Sequence, residues 1–467
     1  MEPIDARRPY LISIALSMLA ILAPALYNNF PFLYSDSGTY LYVGFTGLPS
    51  EIRPVLYGWF LRWVSMKDSL WLVIFVQAWI VSWSINRFVR TFFPATPALL
   101  VLGMVTLLTF ASGIGVTTGM IMPDFLTPVM ILLSILLLYQ PVIRRWESLL
   151  QAFLLFFALA SHHSHPYILF CVLIGMVILL LIPSFRQASF FPFRRMMLVT
   201  AIAVLGFFAI PAFNYVQGGE WVRSHSSNIF LVGRMNEMGL LKPFLAQACD
   251  KKGYGLCTYQ HEIPEAFLWD GNSPVNKDGG WIANNRLYGE IVRDFFSEPR
   301  YAKKFVIKSL ETVVQQLYTF DLCVIVAERD GGFPYRILEQ NVPEFLPPYK
   351  FSKQYRYLWS NEVFDFLQKI LVLASLLWLC RVFLFRPGIA ISDKGKYIGL
   401  VIVLGLLANA FICASISTID PRFQARLIWL LPLYALLLAI QLWSSRQYNQ
   451  ERLITTNTDN SRRIDYH

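Results

Sequence analysis

A few ionisable side chains in an otherwise apolar chain have the types and spacing to do chemistry. Asp36 lies in YSDSGTY, Asp124 in MPDF, His162, His163 and His165 in SHHSHP, and Asp420, Arg422 and Arg426 in DPRFQAR. Each group falls at the end of an apolar run rather than in its middle, the usual sign of a site being built at one membrane face. A carboxylate there can take a proton from a hydroxyl, and partial removal from water raises its pKa toward the range useful to a base. Arg422 and Arg426 are four residues apart, hence on one helix face, and arginine grips phosphate oxygens with a bidentate fork. A base, together with cations that meet a developing charge, equips a site for transfer with a phosphate leaving group.

These groups can meet only if the apolar runs bring them to one side of a bilayer. Hydrophobic residues make up 55% of the 467-residue chain and charged residues 15%, which excludes an ordinary soluble domain. A crossing helix takes about 20 mostly apolar residues, and about ten runs qualify. They lie near 10–29, 69–86, 96–115, 125–141, 148–161, 167–185, 196–215, 364–385, 397–415 and 424–443. The first follows two arginines and carries Ala-Pro-Ala near its end, so a signal peptide is the alternative reading of that run.

Orientation follows from Lys and Arg. One set of links holds Arg87 and Arg90, Arg144 and Arg145, Arg186, Arg194 and Arg195, then Arg381, Arg386, Lys394 and Lys396. The opposite links, around 117–124 and 161–166, hold neither residue type. Ten crossings with both termini cytoplasmic satisfy every link, and short links with a strong Arg bias suit a bacterial inner membrane. The net charge of +10 is then a topology signal that calls for anionic lipid, not nucleic acid.

The expected fold is an all-α polytopic membrane protein in four parts. Residues 1–216 form a transmembrane module of seven helices with an outer loop at 30–68, and 217–363 form a mainly α extracytoplasmic domain. Residues 364–445 hold the last three helices, and 446–467 form a disordered cytoplasmic tail. In the first outer loop, Val55, Leu56, Trp59, Phe60, Trp63 and Val64 recur at helical spacing over a length too short to span. That describes a helix lying in the membrane interface, with Arg53 and Arg62 on its polar side. Asp36 beside it reads equally as a turn residue, since Ser-Asp-Ser-Gly suits a turn and Asp caps helices.

Cys249 and Cys257 sit in ACDKKGYGLC, a spacing that closes a short disulfide loop in an oxidising compartment. Cys171, Cys380 and Cys413 read as buried core, and Cys323 is left unassigned. EIVRDFFSEPRYAKKFVIKSLETVVQQLYTF reads as two amphipathic helices broken at 297–299. The Trp- and Asn-rich stretch FLWDGNSPVNKDGGWIANN suits sugar or headgroup contacts as well as ordinary loops. The histidines leave three roles open: phosphate or acceptor contacts from His163 and His165, a divalent metal held by His162, His163 and His165, or plain interfacial side chains. Arg422 and Arg426 can bind phosphate or snorkel to headgroups, but a positive pair at an outer helix start opposes the helix dipole and favours a bound anion. Asp420 just before them can orient one, and Pro421 suits a helix start.

A lone acid in the first outer loop beside an interfacial helix, a second acid in the next outer hairpin, many spans and a late outer domain resemble the GT-C class of integral membrane glycosyltransferases. The resemblance covers most of the chain by architecture and a few residues by motif; the paired acid usual in that loop is here Asp36 followed by Ser37 and Gly38. It implies sugar transfer from a polyprenyl-phosphate donor, on the outer face, to a glycan, lipid or protein acceptor. Asp36 matches the general base, and Asp124 the second catalytic acid. Arg422, Arg426, His163 and His165 would meet the donor phosphate, with Tyr40, Arg53 and Asp420 contacting substrate. The competing readings are a transporter or flippase, or a ligase- or polymerase-type factor for lipid-linked glycans.

Overall fold

The apolar runs fold as helices, and their lengths separate those that can cross a bilayer alone from those that cannot. The computed structural model describes residues 4–141, 144–182, 192–277, 279–322, 330–385 and 391–444. The tail at 446–467, Cys323, Arg186 and Arg386 lie outside these residues. In chain order the first helices are α1 (Ile4–Asn28), α2 (Ser35–Thr46), α3 (Val55–Ser65), α4 (Leu70–Phe92), α5 (Ala98–Ala111), α6 (Ile114–Thr118), α7 (Leu126–Tyr139), α8 (Arg145–Ser161), α9 (Ser164–Leu179) and α10 (Phe193–Gly218). Then follow α11 (Ser227–Glu237), α12 (Leu241–Lys252), α13 (Gly280–Ser297), α14 (Pro299–Tyr318), α15 (Phe333–Asn341), α16 (Leu346–Phe351), α17 (Glu362–Phe385) and α18 (Asp393–Ile416). The last, α19, runs Pro421–Ser444. No strand occurs among the described residues.

Six helices are long and apolar enough to span: α1, α4, α10, α17, α18 and α19. Helices α8 and α9 qualify as a bent pair, turned by 119° at their break. The remaining two, α5 and α7, have 14 residues each. At 1.5 Å per residue such a helix covers about 21 Å, short of the roughly 30 Å hydrocarbon core. Helix α7 is apolar all round because it touches no lipid: every residue from Leu126 to Tyr139 is buried. Around it pack α4, α8, α10, α18 and α19.

Between α10 and α17 the chain does two different things. From Ile229 to Phe305 it encloses an apolar core of its own, built on Val232, Phe244, Phe267 and Phe295. Cys249 and Cys257 are disulfide-bonded at its edge. The break between the two amphipathic helices falls where Pro299 opens α14, a position whose missing N–H costs nothing. By contrast, Tyr335, Leu338, Phe345 and Tyr349 join the core of the bundle, with α15 laid against α2. The single domain expected at 217–363 is thus a lobe with its own core, whose last helix α14 packs on α18, followed by a segment that belongs to the bundle.

Ser-Asp-Ser-Gly does not make a turn. It opens α2, where Tyr34 N donates to Ser37 Oγ at 2.9 Å. Gly38 is required by packing, since a Cβ there would lie 2.6 Å from Phe333 Cδ1 and 2.9 Å from the Pro334 nitrogen. The expected short helix is α3. It packs on α2 through Val55, Tyr57, Gly58 and Leu61 and leaves Trp63 73% exposed. Its arginines turn toward protein: Arg62 Nη1 donates to Gly44 O at 3.1 Å at the end of α2.

Candidate functional site

Two helix beginnings far apart in sequence face each other. Helix α19 starts on Asp420, whose carboxylate accepts from Arg422 N at 2.9 Å, with Pro421 in the first helical position. That fixes Arg422 to point at the start of α2. There both of its terminal nitrogens reach Asp36 Oδ2, each at 3.1 Å, across 386 residues of sequence. Arg53, just before α3, meets the same oxygen at 2.6 Å. Tyr34 completes the wall, its ring 4.4 Å from the Arg422 guanidinium. One carboxylate is therefore shared by two arginines.

That sharing reverses the expected electrostatics of Asp36. Burial by itself would push the carboxyl up, but the Arg53 and Arg422 guanidiniums outweigh it and hold the pKa down at about 2. At rest Asp36 is a weak base, not the strengthened one anticipated for a dehydrated mouth. It lines a cavity of about 650 Å³, within the range of small-molecule sites, roughly 300–1,000 Å³. Asp36 and Asp420 on its wall face Arg53, Arg223 and Arg422, with His162 and His163 beside them. Three guanidiniums against two carboxylates leave the cavity suited to an anion. Arg53 Nε, Arg422 Nε and His163 Nε2 are buried without a partner.

The other charged pair does not reach this cavity. One turn along α19, Arg426 Nη1 meets Asp124 Oδ1 at 3.0 Å, and Nη2 meets Asn409 Oδ1 at 2.8 Å. The side chains of Arg426 and Asp124 are 0% and 2% exposed. Asp124 and Arg426, expected at a catalytic carboxylate and a phosphate contact, instead hold the 3-10 turn before α7 against α18 and α19. Tyr40 is also inside the protein, edge-on to Tyr57 at 4.9 Å, and is absent from the cavity wall.

The histidines divide. His163 lines the cavity. His165 is fully buried: one ring nitrogen meets Thr127 Oγ1 at 2.8 Å and the other Ala158 O at 2.7 Å. It pins the α8–α9 corner to α7 and has nothing left for phosphate. His162 stacks on it at 4.8 Å and bonds Ser164 through Nδ1. With those nitrogens occupied, the three histidines do not converge, and no group of three His, Cys, Asp or Glu side chains that could hold a metal ion occurs among the described residues. The metal role set out for them therefore lacks a donor set.

Two kinds of residue escaped the sequence reading. Arg223, between α10 and α11, stacks 4.0 Å over Phe207 while lining the cavity. The second kind is a set of buried glutamines that clasp bare backbone. Gln354 accepts from Leu33 N at 3.0 Å and donates to Leu33 O, three residues before Asp36. Gln316 donates to Asp420 O at 2.9 Å and accepts from Asp420 N at 3.1 Å, two residues before Arg422. Gln77 donates to Thr118 O at 2.7 Å and Met120 O at 2.9 Å, just before Asp124. Gln368 accepts from Gly113 N at 2.7 Å and donates to Phe320 O at 2.6 Å. Backbone groups between helices cannot stay unpaired away from water, and a primary amide offers a donor and an acceptor side by side. The segments that lead to Asp36, Asp124 and Arg422 are held this way. The available signal was a lone Gln in an apolar stretch, as in VIFVQAWI or DFLQKIL.

Comparison with family models, with curated proteins and with solved structures returned no match.

Proposed function

We propose that this chain is a membrane glycosyltransferase that moves a sugar from a polyprenyl-phosphate donor to an acceptor hydroxyl on the outer membrane face. The observation that carries this reading is Asp36 shared by Arg53 and Arg422 on the wall of an anion-suited cavity. A donor phosphate entering the cavity competes for those two guanidiniums. As their charge is drawn to the phosphate, Asp36 is released and its pKa rises, because burial is then no longer outweighed. The freed carboxylate takes the proton of the acceptor hydroxyl while the acceptor oxygen bonds the sugar's anomeric carbon. The bond from that carbon to the phosphate oxygen breaks, and its electron pair leaves with the polyprenyl phosphate. Arg53 and Arg422 meet the negative charge that develops there. Donor binding thus switches on the base.

The same reading sets the chain in the membrane. Ten crossings with both termini cytoplasmic agree with the Lys/Arg bias, the short helix α7 being carried inside the bundle by its longer neighbours. Helix α3, with Trp63 outward, lies in the interface. The lobe with its disulfide stands outside, in an oxidising compartment, and a bacterial inner membrane is the address that fits.

The test is Asp36→Asn beside wild type, with labelled polyprenyl-phosphate sugars and an envelope extract as acceptor source. We expect transfer to fall by about 10²–10⁴-fold while donor binding holds or tightens, since the arginines are released in advance. A wild type that neither binds nor turns over any donor, or a variant with unchanged transfer, overturns the reading.

A further inference from the structure

The roof of the cavity is aromatic, and the proposed chemistry leaves it without a role. It comes from the lobe, whose Trp269 and Phe230 line the same cavity as Asp36 and Arg422. The indole of Trp269 is 60% exposed, although the residues before it are core: Phe267 and Leu268 are 1% and 3% exposed. Leu268 packs against α11 at Gly233, where a Cβ would come within 2.7 Å of Leu268 Cγ. The turn that follows is bonded throughout, with Asn272 N donating to Asp270 Oδ1 at 2.8 Å and Asn276 Nδ2 to Asp270 O at 3.0 Å. Ser273 Oγ donates to Phe267 O at 2.6 Å. A second indole, Trp281, sits 6.2 Å from Trp269 and is fixed through Nε1 to Asn276 Oδ1 at 3.2 Å. Phe230 closes the cluster at 6.3 Å from Trp269 and 5.9 Å from Trp281. A rigid loop therefore holds a large apolar ring toward open space at the edge of the cavity that contains Asp36 and Arg422.

From this placement we infer that Trp269, backed by Trp281 and Phe230, is a saccharide platform, and that the acceptor offered to Asp36 is a carbohydrate. A pyranose ring has an apolar C–H face and a rim of hydroxyls. Its C–H groups, slightly positive, lie against the negative face of an indole, while its hydroxyls need polar partners. The cavity supplies both: the aromatic faces of Trp269 and Phe230, and the polar groups of Ser224, Ser227 and Arg223 in the same lining. Ser227 on that wall carries an exposed hydroxyl that a saccharide can bond and an acyl chain cannot. The role of the saccharide as acceptor rests on the transferase reading, whereas its binding does not.

The full chain in nanodiscs is titrated with maltotriose, chitotriose and mannotriose, with binding followed by saturation-transfer NMR. At least one trisaccharide binds the wild type. Trp269→Ala weakens it by at least about tenfold, the loss expected when a central aromatic contact is truncated. Trp269→Phe keeps binding within a few-fold of wild type. Decyl phosphate, which reads the Arg422 floor separately, binds Trp269→Ala and wild type alike. Absence of binding by all three saccharides, or equal binding by Trp269→Ala, overturns the platform even when decyl phosphate binds. Failure of decyl phosphate alone counts against the transferase reading and leaves the platform standing. If the wild type is quenched by brominated lipid more than Trp269→Ala, the indole is a bilayer anchor and the inference fails.

Discussion

Helix α19 carries two arginines one turn apart, each meeting an aspartate from an earlier segment, yet the surroundings make the pairs opposites. Arg426 and Asp124 are sealed, with Asn409 taking a further guanidinium nitrogen. Arg422 and Asp36 face a cavity, and a second guanidinium competes for the same carboxylate oxygen. The sealed pair lies off the cavity, where no incoming anion reaches it. A carboxylate shared by two arginines has an excess of positive charge beside it, which an incoming anion can satisfy. Identical chemistry thus serves architecture in one place and a switchable site in the other.

Breaking the sealed pair should have the largest effect. Arg426→Ala strands the Asp124 carboxylate in the protein interior and should cost roughly 3–5 kcal/mol, read as a large fall in the thermal midpoint. Replacing both partners by apolar residues, Asp124→Leu with Arg426→Met, should recover most of that loss. If the single variant is as stable as wild type, the contrast between the pairs is wrong. Gln316→Leu comes next. It removes two hydrogen bonds from Asp420, worth roughly 1–3 kcal/mol together, and frees the start of α19. Decyl phosphate binding should weaken by about tenfold, whereas Gln77→Leu, near the sealed pair, should destabilise without changing that affinity.

The smallest effect is a titration. A carboxyl held at about 2 in the folded chain, against about 3.9 unfolded, contributes stability that is complete above 3.9 and lost as pH falls toward 2. Arg53→Ala should move the titration of Asp36 upward, followed by difference infrared spectroscopy of the protonated carboxyl with Asp36→Asn as blank. An unmoved band would mean that Arg53 contributes little to holding the carboxylate.

Much of this was legible. Long apolar runs give helices whatever their partners, so the windows around α1, α4, α10, α17, α18 and α19 needed only hydropathy. The turn residues between α13 and α14 and the Cys249–Cys257 spacing are equally local. Asp36 and Arg422 stood out because charge is costly beside lipid. What sequence could not supply was partnership. Asp124 and Arg426 have the same local signature as Asp36 and Arg422, and only the depth of packing around α7 separates them. His165 resembled His163 for the same reason. The two differ in their surroundings: His165 is tied to Thr127 and Ala158, whereas His163 lines the cavity. Nor does a run of apolar residues reveal that α7 is enclosed by protein instead of lipid, since both solvents demand the same side chains.

The distance along the chain between Asp36 and Arg422, 386 residues, also has a consequence in time. At about 5–20 residues per second of synthesis, Asp36 waits roughly 20–80 s for its second arginine to be made. During that interval the nascent chain has only Arg53, seventeen positions on, to neutralise the carboxylate while earlier helices enter the bilayer. Arg53 is the arginine on the cavity wall made soonest after Asp36. Its loss should show first as poor insertion yield, before any effect on the finished protein is measured.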